Sequence, residues 1–149
     1  MSDDVMSLYS RRLLDLAGDV PLTGRLAAPQ GSAMRRAPQC GSSVTVDLDV
    51  SDGRISRFAQ NVRACALGQA SAALLGARVL DADRATIAAG RDALRALLSD
   101  GTAPAAPWDS LEVLRPAAAF HNRHASILLV REATRAAMDA AVARAGKVG

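Results

Sequence analysis

Two cysteines and two histidines are the side chains of this sequence best suited to binding a soft metal ion. Cys40 lies on a predicted turn whose shape is set by a flanking proline and glycine. Cys65 begins a predicted helix, and His121 and His124 immediately precede the last predicted helix. All four residues fall at the ends of elements, and thiolate and imidazole are the usual ligands of zinc and of iron–sulfur clusters. The pattern therefore indicates a metal site.

A predicted β-hairpin explains how the two thiols can meet. Residues 43–50 alternate strictly between aliphatic and polar side chains, which predicts a half-buried strand. Ser51 to Arg54 reads as a turn, and residues 55–62 as the return strand. Because a hairpin returns the chain to the end at which it began, Cys40 and Cys65 are expected at one end of the sheet. A helix amino terminus favours the thiolate form of Cys65.

Helical periodicity accounts for most of the remaining sequence. The predicted helices span residues 4–16, 66–79, about 84–98 and 125–145, with a loop over residues 20–33. This order predicts an α+β fold in which a small antiparallel β-sheet is packed on one face by helices. With 149 residues, the chain is expected to form a single domain covering 1–149.

The composition excludes several classes of function. Eighteen basic and 15 acidic residues give a net charge of +3 without a block of like charge, so nucleic acid is not an expected partner. Charged residues such as Asp3 and Arg11 interrupt the amino-terminal region, which leaves no secretion signal, and no apolar run is long enough to span a membrane. A cytoplasmic location is expected, where cysteines more often bind metal than form disulfides.

Two motifs, together with Cys65 at a helix start, carry a resemblance to a known family. They are Gly31-Ser32-x-Met34-x-x-Ala37-Pro38-x-Cys40-Gly41 and His124-Ala125-Ser126-Ile127-Leu128. The chain resembles the IscU/NifU N-terminal-domain/SufU iron–sulfur cluster scaffold proteins from about Leu8 to Ala140. The resemblance implies a SufE/NifU-like fold and an assembly site in which Cys40 and Cys65 match the first two family cysteines and His124 matches the family histidine. It also implies a cysteine desulfurase and cluster-acceptor proteins as partners.

The sequence departs from the family pattern at two positions of that site. Ala125 occupies the position of the third cysteine, which in the family receives sulfur, and Ser42 occupies the position of an aspartate. An alanine methyl group can neither bind a metal nor accept sulfur. His121, three residues before His124, is one candidate for a further ligand, and a cluster shared by two copies of the chain is another source of ligands.

Three functional hypotheses follow. The first is a non-enzymatic scaffold-like protein that binds iron or a [2Fe-2S] cluster through Cys40, Cys65 and His124 and passes it on. The second is a zinc-stabilised binding or regulatory module without assembly activity, in which His121 completes a Cys2His2 set. The third, disfavoured by Ala125, is a sulfur acceptor that works with a desulfurase through Cys40 or Cys65.

Overall fold

A three-stranded antiparallel sheet forms the centre of the fold. The structure, a computed structural model, describes residues 9–38 and 41–148, apart from the side chains of 145–148. The described elements are, in chain order, α1 (Arg11–Ala17), β1 (Gly31–Ala37), β2 (Ser42–Ser51), β3 (Arg54–Arg63), α2 (Ala66–Gly76), α3 (Arg84–Asp100), two 3₁₀ segments (Asp109–Ala119 and His121–Arg123) and α4 (His124–Val148). The strands lie in the order β1-β2-β3, so the sheet is a simple meander.

The hairpin between β2 and β3 confirms the sequence prediction. Asp52 and Gly53 both have positive φ, at 53° and 77°, as the twisted two-residue turn between antiparallel strands requires. Val44, Val46 and Leu48 of β2 are at most 2% exposed and point into the core. The α4 helix packs across β1 and β2 on this face. The predicted α+β fold, with helices on one face of a small antiparallel sheet, is therefore confirmed.

The opposite face of the sheet is crossed by the loop between α1 and β1. Thr23 pairs with Gln60 of β3 at the start of the crossing, and Gln30 bonds to β2 at its end. In between, Asp47 of β2 accepts hydrogen bonds from the Arg25 guanidinium (2.6 Å) and the Leu26 amide (3.0 Å). The Asp47 carboxylate is fully buried, and these bonds fix the loop to the sheet.

Small residues let α2 approach the start of α4 closely. A Cβ added at Gly68 would lie 2.7 Å from the Ala64 Cβ and 2.9 Å from the Ser126 Oγ. One turn later, the Ser71 hydroxyl donates to the Ile127 carbonyl at 2.6 Å. The amino ends of α2 and α4 are thereby held side by side.

Two predicted elements need correction. The first predicted helix, residues 4–16, begins only at Arg11 in the described part, because the Ser10 hydroxyl caps it by accepting from the Leu13 amide at 3.2 Å; residues 1–8 lie outside the described residues. Gly31–Ala37, interpreted as loop and turn, is the edge strand β1. The remaining predicted helices are present with ends shifted by up to three residues.

Among the described residues, no helix has both the length and the apolar composition needed to cross a bilayer.

Candidate functional site

Cys65 is the residue immediately before α2, as the sequence predicts. Its extended backbone (φ −66°, ψ 173°) makes it the amino-terminal cap of the helix, so its thiol faces the free amide groups of the first turn. The thiol is partly buried and forms no disulfide with any residue that the structure describes. Cys65 is thus placed where a thiolate is stabilised by the backbone.

The surroundings of Cys65 favour its thiolate form. Burial acts to raise the pKa of the Cys65 thiol, but hydrogen bonds from the Gly68 amide, the Ser126 hydroxyl and the Leu67 amide, with the positive charge of Arg123, outweigh burial and lower that pKa below its usual value. A lowered pKa is the property that a metal-binding cysteine requires, because the thiolate is the ligand.

Ser126 links three separate parts of the chain. Its hydroxyl lies 3.8 Å from the Cys65 sulfur and 2.9 Å from the Ser42 hydroxyl. Both serines are only 2% exposed. The start of β2, the start of α2 and the start of α4 therefore meet at Ser126, and the last two carry the predicted ligands Cys65 and His124. Sequence reasoning missed Ser126 as a site residue; its position two residues after His124 was the available signal.

His124 is the first residue of α4, and its ring is oriented by a backbone contact. Its Nε2 atom lies 3.0 Å from the Ala117 carbonyl oxygen. Because a carbonyl only accepts, Nε2 carries a proton and Nδ1 is the nitrogen that remains for a ligand. The exposed ring of His121 lies near it, with 5.0 Å between the ring centroids.

Cys40, the other predicted ligand, lies outside the described residues. Among the residues that are described, no three His, Cys, Asp or Glu side chains gather closely enough to hold one metal ion. Cys65, His121 and His124 alone therefore do not form a three-ligand set. A metal site at this end of the sheet requires a further ligand, and the role of Cys40 stays a prediction.

Ser42 and Ala125 differ in their surroundings. Ser42 is buried and bonded to Ser126, whereas Ala125 is exposed at the start of α4. The Ser42 hydroxyl is thus held by a specific contact, although it brings no charge to the site.

Three solved structures share this fold. A nitrogen-fixing NifU-like protein (N-terminal) from Brucella abortus is 34% identical, with 94% of this chain and 98% of that chain covered and a TM-score of 0.90. A candidate iron–sulfur cluster assembly scaffold protein for the SUF system from Fervidobacterium islandicum AW-1 is 13% identical, with 89% and 98% covered and a TM-score of 0.79. A hypothetical protein is 18% identical, with 90% and 98% covered and a TM-score of 0.78.

No family model and no curated protein matches the chain. The similarity to the Brucella abortus protein extends over nearly the full length of both chains at a level of identity that indicates common descent. The chain belongs to the IscU/NifU N-terminal-domain/SufU family.

Proposed function

We propose that this protein is a scaffold-like carrier that binds iron or a [2Fe-2S] cluster as cargo through Cys40, Cys65 and His124 and passes it to an acceptor protein. The observation that carries the proposal is the position of Cys65: it is the residue immediately before α2, and its thiol has a lowered pKa and lies 3.8 Å from the Ser126 hydroxyl at the start of α4. The family relationship supports the same chemistry, since one structural relative is a candidate iron–sulfur assembly scaffold.

Each proposed ligand has a distinct role. The thiolates of Cys40 and Cys65 would bind iron as anionic sulfur ligands, and His124 would bind as a neutral imidazole through Nδ1. Because Ala125 offers no ligand, three protein ligands would leave one position around the metal open. An open position suits a carrier, because an acceptor's ligand can enter there and take the cargo.

The supply and release of cargo define the expected partners. Ala125 stands in the place of the family's sulfur-receiving cysteine, so no thiol at that position can hold persulfide sulfur. We propose that a cysteine desulfurase supplies persulfide sulfur, and that an external thiol reductant provides the two electrons that release it as sulfide for assembly with iron. Cluster-acceptor proteins would then receive the cargo. The protein itself would carry out no turnover chemistry.

Anaerobic reconstitution with ferrous iron and sulfide tests the proposal. Wild-type protein is expected to acquire a visible chromophore, and Cys65→Ser is expected to retain roughly tenfold less iron, or less still, after desalting. Cys40→Ser should behave in the same way. Tight binding of zinc without any chromophore, with both cysteine variants losing zinc, would instead support the zinc-stabilised module.

The two histidines provide a matched pair of variants. His124→Ala is expected to weaken cluster retention, because the His124 ring is partly buried and its contact with the Ala117 carbonyl leaves Nδ1 for a ligand. His121→Ala is expected to leave retention unchanged, because His121 is exposed and is not one of the three proposed ligands. An equal loss in both variants would support the Cys2His2 set and count against the three-ligand site.

A further inference from the structure

An open groove of about 440 Å³ borders the candidate site. It lies between β1, α3 and the first turns of α4, and we call it the basic groove. Its lining residues are Arg35, Arg36, Arg95, Ala125, Leu128, Leu129 and Glu132. Leu129 is 5% exposed and Leu128 is half-buried, so the floor is apolar, while the three arginine side chains are exposed around it.

The arginines of the basic groove have no acidic partner in the described part of the chain. Within residues 9–38 and 41–148, the Arg35 side chain donates to the carbonyl of Met34, at 2.9 Å, and no ion pair involves Arg35, Arg36 or Arg95. The carboxylate in the lining, Glu132, is already paired with Arg91 of α3. The groove therefore presents a net positive charge to any approaching molecule.

The positive surface continues towards the candidate site. Arg36 also lines a second groove, of about 340 Å³, together with Arg63 and Ser42. Ser42 is the residue whose hydroxyl contacts Ser126. At the other end, Ala125 directly follows His124. A molecule bound in the basic groove would thus lie beside the residues proposed to hold cargo.

We propose that the basic groove docks an acidic segment of a partner protein. Carboxylates of the segment would pair with Arg35, Arg36 and Arg95, and an aliphatic side chain between them would cover Leu128 and Leu129. As a place for delivering or collecting cargo the groove rests on the proposed function, but the docking itself requires no bound metal.

The combination of charge and apolar floor selects this kind of partner. Complementary charge accelerates association and fixes orientation, while contact between aliphatic groups removes apolar surface from water. A purely anionic ligand would gain nothing from the two leucines. An acidic peptide with aliphatic side chains satisfies both parts of the groove.

Fluorescence anisotropy with metal-free, full-length protein tests the docking. The probe is a fluorescein-labelled peptide rich in glutamate with leucine at helical spacing. One comparison peptide has serine in place of leucine, and another has lysine in place of glutamate. The double variant Arg35→Glu, Arg95→Glu is compared with Arg11→Glu, Arg78→Glu, which makes the same change in net charge with exposed residues outside the groove. Circular dichroism establishes that both variants fold.

The proposal predicts a specific pattern. The glutamate–leucine peptide binds wild-type protein, and the groove variant binds it about tenfold or more weakly, because like charges then face each other. The control variant loses about twofold or less, the serine peptide binds more weakly than the leucine peptide, and the lysine peptide does not bind. Equal losses in the two double variants, equal binding of the leucine and serine peptides, or no binding to wild type would each overturn it. None of these results depends on iron, so they are independent of the reconstitution test.

Discussion

At the scale of single residues, Asp47 is a buried carboxylate whose hydrogen bonds hold the loop between α1 and β1 against the sheet. Burial alone would raise the pKa of the Asp47 carboxyl group, but hydrogen bonds from Arg25, Ser32 and the Leu26 amide, with the Arg25 charge, lower that pKa below its usual value. Because the Arg25 side chain is 57% exposed, solvent screens its charge and weakens the ion pair. The hydrogen bonds therefore account for most of the lowering of the Asp47 pKa.

Asp47→Asn is expected to lower the free energy of unfolding by about 1–3 kcal/mol, because donors that face the carboxylate lose their acceptor. Asp139→Asn, which removes an exposed ion pair with Arg84, is expected to cost less than about 1 kcal/mol. Urea denaturation measures both. Equal costs for the two variants would contradict the role assigned to Asp47.

The lowered pKa of Asp47 also predicts a pH dependence. Its stabilising contribution is complete above the pKa of the unfolded chain, about 4, and is lost as pH falls through the lower pKa of the folded state. The difference in unfolding free energy between wild type and Asp47→Asn should therefore shrink when urea denaturation is repeated at progressively lower pH. A difference that grows towards acid pH would contradict this assignment.

Arg131 is a buried charge that pairs with no carboxylate in the part of the chain that the structure describes. Its guanidinium donates to the Ser71 hydroxyl at 2.8 Å and lies 5.4 Å from the Trp108 ring centre, but Nε and Nη2 have no partner among the described residues. Burial lowers the pKa of Arg131 to about 9. An unpaired charge in the core is a cost to folding.

Arg131→Met is expected to raise the free energy of unfolding by about 1–3 kcal/mol, since it fills a similar volume without a charge. Arg95→Met, at an exposed position of α3, is expected to change it by less than about 0.5 kcal/mol. Thermal and urea denaturation provide the values. A clear loss of stability in Arg131→Met would mean that the contacts with Ser71 and Trp108 outweigh the cost of burying the charge.

At the scale of elements, the close approach of α2 to α4 positions Cys65. Gly68→Ala is expected to lower the free energy of unfolding by about 1–2 kcal/mol, because the added methyl group would meet Ala64 and Ser126. It should also change the rate of Cys65 alkylation, measured by mass spectrometry of the modified peptide, because the Gly68 amide and the Ser126 hydroxyl both contact the thiol.

Gly76→Ala is the matched control for this effect. Its methyl group would meet Pro21 and Gln60 at the far end of α2, with a comparable loss of stability. The alkylation rate of Cys65 should then stay at the wild-type value. A similar change of the Cys65 alkylation rate in both variants would show that the rate follows the overall loss of stability rather than the contacts of the thiol with Gly68 and Ser126.

The elements differ in how well the sequence predicts them. The strict alternation of β2 and the turn at Gly53 identify the hairpin, because both patterns depend on residues near each other in sequence. The β1 strand was missed because its two buried positions, Gly31 and Ala37, hold small residues rather than large aliphatic ones. Gly31 is such a position: a Cβ there would lie 2.0 Å from the Ala137 carbonyl oxygen of α4. The strand is shaped by a helix more than a hundred residues away.

At the scale of the whole molecule, the fold brings the start of β2, the start of α2 and the start of α4 to one place. The hairpin predicts that the first two lie at one end of the sheet, since it returns the chain to its starting end. The contact of Ser126 with Cys65 and Ser42 could not be predicted from the sequence, because it depends on how closely α2 and α4 pack. Neither Ala125 nor Ser42 brings a charge to this place.

X-ray absorption at the iron edge, on protein loaded anaerobically with ferrous iron and no sulfide, tests the central claim most directly. Without sulfide, any sulfur bound to iron must belong to the protein. The account predicts sulfur and nitrogen neighbours around iron in wild type, one sulfur fewer in Cys65→Ser, and loss of the nitrogen in His124→Ala but not in His121→Ala. Iron surrounded by oxygen alone, or a spectrum unchanged by Cys65→Ser, would contradict it.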